Sequence, residues 1–170
     1  MTMLLALCTP LAASALYDPA PDAAFAASEG AWTGSLTYKD YQKPDRKVVL
    51  PTLAFASLTA ANELALHFVF DDGPGKTVHS YERLRFDLAA QILQWSSGSE
   101  PPSEWKITSV SRSAGVLSMV AERHRQDEDG SRWLRCRFEF GGKALRIEED
   151  DGAELANLSF RNRYEFTRLP

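Results

Sequence analysis

The residues of this sequence that could carry out acid–base or metal chemistry are few and scattered. His67, His79 and His124 have no other histidine, cysteine or carboxylate at a metal-ligand spacing. Glu122 and His124 are separated by one residue, so on a β-strand they would share a face and could form an acid–base pair. An enzyme built on that pair is one hypothesis. Because no motif supports it, we assign no catalytic residue and expect a protein that is not an enzyme.

Other reactive groups point to structure more than to chemistry. Carboxylates cluster at residues 127–129 and 148–151, where hard oxygen ligands could hold calcium but where solvated turns are the simpler interpretation. The sequence contains no phosphate-binding glycine loop and no Gly-x-Ser-x-Gly elbow. Cys136, at strand spacing between Leu134 and Phe138, is interpreted as a small buried hydrophobic residue. We therefore predict no metal and no cofactor.

Composition narrows the class of protein further. The 170 residues fit one domain with its own core, and 44% hydrophobic with 25% charged residues is typical of folded soluble proteins. The formal net charge of -4 argues against a nucleic-acid partner and against binding to an anionic membrane surface.

The N-terminal segment has the features of an export signal. Residues 1–15 carry no charge, include an apolar run at 4–7, and end in Ala13-Ser14-Ala15, a small-x-small pattern. We predict a signal peptide cleaved after Ala15 and a periplasmic or secreted protein. The alternative is a disordered or helical tail.

Two further features of the chain bear on membrane attachment. Lipidation of Cys8 is a weaker hypothesis, because Leu7 precedes it where a small residue is usual. Outside residues 1–15 no segment approaches the ~20 apolar residues of a spanning helix, so no integral membrane segment is predicted. Residues 16–29 form an N-terminal segment in which Asp22 could cap a short helix.

From residue 30 to the C-terminus, strand-like runs alternate with clusters of Gly, Asp, Pro and Ser that are typical of tight turns. The ten runs cover approximately 31–40, 47–58, 62–71, 76–88, 91–95, 104–112, 115–125, 131–140, 143–149 and 156–168. One of the predicted turns lies at residues 150–152. The longest loop, 96–103, is a candidate rim or lid.

Polar and apolar residues alternate within these runs, so each strand has one buried and one solvated face. The residues expected to face inward are Trp32, Leu36, Tyr38, Leu64, Leu66, Phe68, Phe70, Leu134, Phe138, Phe140, Phe160, Tyr164 and Phe166. Charged residues expected on the outer face are Arg135, Arg137, Glu139, Arg146, Glu148, Arg161, Arg163 and Glu165. Short connections favour an antiparallel up-and-down β-barrel over residues 30–170, with a β-sandwich as the alternative.

The start of the first run, Gly30-Ala31-Trp32, resembles the Gly-x-Trp of lipocalins and related calycin barrels. In that superfamily the Trp lies at the closed end of the barrel and an Arg of the last strand packs across its ring. The resemblance implies that Arg168 lies over Trp32 and closes the barrel. Ten strands are more similar to fatty-acid-binding and nitrobindin-like members, and exported bacterial proteins of uncharacterised function often look like this chain.

A lipocalin-like barrel of ten strands implies an interior cavity for a small hydrophobic or amphipathic ligand. The residues predicted to line it are Tyr38, Leu66, Phe68, Phe70, Ser118, Glu122, His124, Phe138, Asn162 and Tyr164. The alternative is a packed, ligand-free structural or interaction domain of the cell envelope, with Trp133, or Trp95 and Trp105, marking a partner surface. A haem binder, the remaining alternative beside an enzyme, needs His79 or His124 inside the barrel.

Overall fold

The structure is a computed structural model that describes residues 22–40, 42–43, 45–127 and 130–170. The predicted signal peptide, its cleavage site and Cys8 lie outside the described residues. The helix α1 spans Ala23–Ala27 and begins after Asp22, whose carboxylate accepts a hydrogen bond of 2.9 Å from the Ala24 amide. The described residues contain no helix with the length and apolar composition of a membrane span.

Ten strands follow the helix. They are β1 Gly30–Lys39, β2 Lys47–Ala60, β3 Glu63–Asp71, β4 Thr77–Asp87, β5 Ile92–Ser97, β6 Ser103–Ser113, β7 Val116–Asp127, β8 Gly130–Phe140, β9 Leu145–Gly152 and β10 Ser159–Arg168. Each strand pairs antiparallel with the next, and β1 also pairs with β10, so the sheet closes on itself. The predicted all-β, up-and-down barrel of ten strands is confirmed, and the β-sandwich alternative is wrong.

Alternation positions the core as predicted on most strands. On β3, Leu64, Leu66, Phe68 and Phe70 are buried while the residues between them are half-buried. On β8, Leu134, Cys136, Phe138 and Phe140 are buried in the same way. These two strands lie on different sides of the barrel, so their inner faces supply much of the common core.

A β-bulge in β10 changes which side chains enter the barrel. The register of β10 against β9 shifts between Phe160 and Asn162. An extra residue reverses the alternation before it, so Phe160 lies outside, with the Lys47 ammonium 4.1 Å from its ring centroid. Arg161, expected outside, extends to Glu149 and Asp151 of the inner face. The predicted orientations of Phe160 and Arg161 are therefore wrong.

The predicted turn at residues 150–152 is also wrong, since β9 continues through Gly152. Asp151 points into the barrel and is buried. Its carboxylate accepts hydrogen bonds from Arg132 at 2.7 Å and from Arg161 at 3.0 Å. These partners explain why a residue type common in turns is accommodated inside a strand.

The helix α1 covers one end of the barrel. Phe25 is fully buried, with its ring 4.9 Å from that of Phe86 and 5.5 Å from that of Phe140, measured between centroids. The indole nitrogen of Trp32 donates a hydrogen bond of 3.0 Å to the Ser28 carbonyl. The helix and the start of β1 thus form an apolar floor, called here the closed end.

Arg168 ties this closed end together. Its guanidinium carbon lies 4.7 Å from the centroid of the Trp32 ring, as the resemblance implies, and the two residues are register partners. The same guanidinium donates to the Gly142 carbonyl at 2.9 Å and to the Ala27 carbonyl. One side chain therefore links α1, β1, β10 and the turn after β8.

We expect Arg168→Met to lower the free energy of unfolding by about 1–3 kcal/mol, because two charge-assisted hydrogen bonds and a cation–π contact are lost. Urea unfolding followed by circular dichroism measures the change. The matched control is Arg83→Met, which removes an exposed ion pair with Glu63 and should change stability by less than about 0.5 kcal/mol. Equal losses in the two variants would contradict the assigned role of Arg168.

Gly34 is required where β1 meets β10. A Cβ atom there would lie 2.0 Å from the Glu165 carbonyl oxygen and 2.8 Å from Phe166 Cα. Because both neighbours are backbone, the strands would have to separate. Gly34→Ala should therefore destabilise the protein by at least about 1–3 kcal/mol in the same unfolding assay.

The control for this variant is Gly142→Ala, whose added methyl group would meet only Ala27, at 3.9 Å. It should leave the unfolding midpoint nearly unchanged. If both alanine variants unfold at the same urea concentration, the close approach of β1 and β10 is not a constraint on the fold.

Candidate ligand-binding site

The end of the barrel opposite the closed end contains a cavity of about 550 Å³ that is widely open to solvent. Strands from β4 to β10 and the loop after β5 contribute to it. The lining residues are Glu82, Trp95, Ser97, Glu100, Pro101, Ser103, Trp105, Arg123, Arg125, Leu134, Glu149, Arg161 and Asn162. The lining therefore combines two indole rings with charged groups of both signs.

The two indole rings form one wall. Trp95 of β5 and Trp105 of β6 have ring centroids 5.5 Å apart and planes inclined by 31°. Trp105 Nε1 donates to Ser103 Oγ at 3.1 Å, and Ser103 Oγ donates to the Trp95 carbonyl at 3.0 Å. Trp105 is almost fully buried and Trp95 is half-buried, so Trp95 offers more of its surface to the cavity.

Glu82 of β4 is held in place by three donors. Trp95 Nε1 donates to one carboxylate oxygen at 2.7 Å. The hydroxyls of Ser80 and Ser97 donate to the other at 2.8 and 3.0 Å. The carboxylate therefore has a fixed orientation and fixes that of the Trp95 ring.

Ion pairs occupy the opposite wall. Because of the bulge, Arg161 donates to Glu149 at 2.7 Å and to Asp151 at 3.0 Å. Burial raises the pKa of the Glu149 carboxyl above its ordinary value of 4.5, although the positive charge of Arg161 acts in the opposite direction. Burial likewise raises the pKa of the Tyr164 hydroxyl, whose ring stacks on Phe68 with centroids 4.8 Å apart.

Arg123 differs from the other charged groups of the cavity. It is half-buried on the inner face of β7, between the inward positions Ala121 and Arg125. Among the described residues it makes no hydrogen bond, ion pair or cation–π contact through its side chain. Its guanidinium therefore has donors that nothing in the described protein uses.

Several residues predicted to line a cavity are found inside the barrel. Asn162 lines the cavity. Leu66, Phe68, Phe70 and Phe138 are buried in the core. Tyr38 and Tyr164 are half-buried on inward positions of β1 and β10.

Ser118, Glu122 and His124 lie on the outer face of the barrel instead of the predicted inner face. Their register partners on β8 are Glu139, Arg135 and Trp133, which alternate with the buried residues of that strand. Glu122 accepts a hydrogen bond of 2.8 Å from Arg135. His124 Nε2 lies 2.6 Å from Ser131 Oγ and its ring lies on that of Trp133, with centroids 4.8 Å apart.

The physical reason for this error is that β7 carries apolar residues on both faces. Val116 and Val120 share a face with Ser118, whereas Leu117 and Met119 occupy the face that is buried. Alternation alone could not choose between them. The register against β8 decides the face, and it excludes an interior acid–base pair of Glu122 and His124.

The other two histidines are also outside. His67 and His79 lie on neighbouring strands of the outer wall with Nε2 and Nδ1 2.9 Å apart. All three histidines of the sequence are thus away from the interior, which contradicts the haem hypothesis. The described residues contain no group of three or more His, Cys, Asp or Glu side chains that could hold a metal ion.

The tryptophans named as a partner surface are placed elsewhere. Trp95 and Trp105 line the cavity, and Trp133 packs on His124. Exposed apolar side chains are found instead on the outer faces of β2 and β4, including Phe55 and Tyr81, which are 42% and 58% exposed.

The cavity residues that sequence reasoning missed include Glu82, Trp95, Trp105, Arg123, Arg125, Glu149 and Arg161. The position of the two tryptophans on either side of the loop 96–103 was a usable signal, since that loop forms part of the rim. Arg123 and Arg125 gave no such signal, because the alternation of β7 is ambiguous.

Comparisons with known protein families, curated proteins and solved structures found no match.

The raised pKa of Glu149 predicts a pH dependence of stability. Between its ordinary value of 4.5 and the raised value, the folded protein binds a proton that the unfolded chain has released. The free energy of unfolding contributed by Glu149 therefore falls as pH rises through this interval. In Glu149→Gln the group no longer titrates. The stability of the parent protein relative to this variant should decrease from about pH 4.5 upward in urea unfolding. A relative stability that increases over the same interval would contradict this.

Proposed function

We propose that the protein is an exported binding protein that holds a small amphipathic ligand in the open half of a lipocalin-like barrel. The observation that carries the proposal is the cavity of about 550 Å³ in which the Trp95 and Trp105 rings lie beside charged side chains. Ligand pockets in proteins typically measure about 300–1,000 Å³ and combine apolar walls with a few oriented polar groups. The charged lining favours an amphipathic ligand over a purely hydrophobic one.

Two further features support the parts of this proposal. The contact of Arg168 with Trp32 behind Gly30 supports the lipocalin-like assignment. The uncharged segment of residues 1–15 with its small-x-small ending supports export to the periplasm or the medium.

A second candidate is the ligand-free interaction domain. The exposed Phe55 and Tyr81 on the outer wall favour it, because an exposed apolar surface is a common feature of protein–protein contacts. In that case the outer faces of β2 and β4, and not the cavity, would contact the partner. A ligand-binding experiment therefore separates the two candidates.

Titration of the purified protein with the neutral dye N-phenyl-1-naphthylamine tests the proposed function. We expect saturable binding, with a blue-shifted dye emission and energy transfer from the nearby Trp95 and Trp105 indoles. Asn162→Phe places a ring in the cavity and should weaken binding by about tenfold or more. The matched control is Thr37→Phe, on the outer face of the neighbouring strand β1, which should leave the affinity unchanged. Binding that does not saturate, or that Asn162→Phe does not weaken, would contradict the proposal.

A further inference from the structure

We infer that the ligand is an organic anion whose carboxylate, sulfonate or phosphate group binds Arg123, with its apolar part lying along Trp95 and Trp105. This inference rests on the proposed function, which requires a ligand in the cavity but leaves its charge open.

The lack of any protein partner for its guanidinium in the described part of the chain, and not net charge, distinguishes Arg123 from Arg125 and Arg161, which both have partners. The lining contains three arginines and three glutamates, so their formal charges cancel. Arg161 already donates to Glu149 and Asp151. Arg123 has no such partner among the described residues. Its planar fork of N–H groups matches the two oxygens of a carboxylate or the oxygens of a sulfonate or phosphate.

The carboxylates of the cavity disfavour the opposite assignment, a cationic ligand. Glu82 already accepts three hydrogen bonds from protein donors. Glu149 is paired with Arg161, and burial disfavours its charged form. Glu100 belongs to the exposed loop after β5, where water competes for its oxygens. A ligand cation would therefore have to compete with protein donors at Glu82 and Glu149, or with water at Glu100, whereas an anion at Arg123 adds new hydrogen bonds.

The position of Arg123 also fixes where the remainder of the ligand lies. The ladder between β6 and β7 ends with the pair Lys106 and Glu122, one residue before Trp105 and Arg123. Trp105 and Arg123 are therefore neighbouring inward positions on the adjacent strands β6 and β7. The Trp95 ring continues the wall 5.5 Å beyond Trp105. An anion bound to Arg123 places a flat apolar group against the indoles.

Two dyes with the same ring frame test the inference. The anion 8-anilino-1-naphthalenesulfonate differs from N-phenyl-1-naphthylamine by its sulfonate group, so the ratio of their dissociation constants isolates the contribution of the charge. We expect the sulfonate to bind the parent protein about tenfold more tightly than the neutral dye. Arg123→Gln should remove this preference, so that the dissociation constants of the two dyes agree within about twofold.

Matched variants separate this effect from general loss of charge or structure. Arg83→Gln removes a cation from the outer wall and should preserve the preference for the sulfonate. Arg123→Lys keeps the charge but loses the planar fork, so it should retain part of the preference. Urea unfolding of each variant establishes that it is folded, and Asn162→Phe should weaken binding of both dyes.

The outcomes distinguish the inference from the function on which it rests. If the neutral dye binds in the cavity while the sulfonate binds no more tightly, or while Arg123→Gln and Arg83→Gln behave alike, the inference is overturned and the proposed function stands. If neither dye shows saturable binding that Asn162→Phe weakens, both are overturned.

Discussion

A sheet of ten strands in up-and-down order has two edges, one on β1 and one on β10, and the barrel depends on the pairing of these edges. That pairing demands a close approach, which the absence of a side chain at Gly34 permits. It also brings Trp32 opposite Arg168 in the register, so the same pairing that closes the sheet forms the central contact of the closed end. Non-local contacts of this kind form only after the whole chain has been brought together.

Closure creates an interior with two unlike halves. Next to α1 it is filled by aromatic and aliphatic side chains such as Phe25, Phe86 and Phe140, whose burial stabilises the fold. Toward the other end the inward positions change to arginines and carboxylates, including Arg123 and Glu149. Charged side chains pack less densely than apolar ones, because each charge needs an ion-pair partner, a hydrogen bond or water. The change in residue type along the strands is therefore what leaves a cavity.

The number of strands, their order and most of their faces follow from the sequence, because alternation is strong on strands such as β3 and β8 and a meander of short connections has few closed forms. The contact of Arg168 with Trp32 could also be anticipated from one short motif. The candidate site could not. Its arginines lie on β7, where both faces carry apolar residues, and on β10, where the bulge beside Arg161 reverses the alternation. Both features are settled by pairing with the neighbouring strand, which no local pattern encodes.

The presence of charged side chains in one half of the interior is not accounted for by a gain in the free energy of folding. Buried ion pairs such as those joining Arg161 to Glu149 and Asp151 lose hydration on folding, and apolar side chains of equal volume are often as stabilising or more so. Burial is also the main cause of the raised pKa of the Glu149 carboxyl, which agrees with that cost. The apolar core is formed by other residues, among them Phe25, Phe86 and Phe140 beside the closed end. The arrangement of the charged groups, with fixed carboxylates on two walls and the unpartnered guanidinium of Arg123 between them, is the kind of arrangement that the proposed binding of a ligand would require.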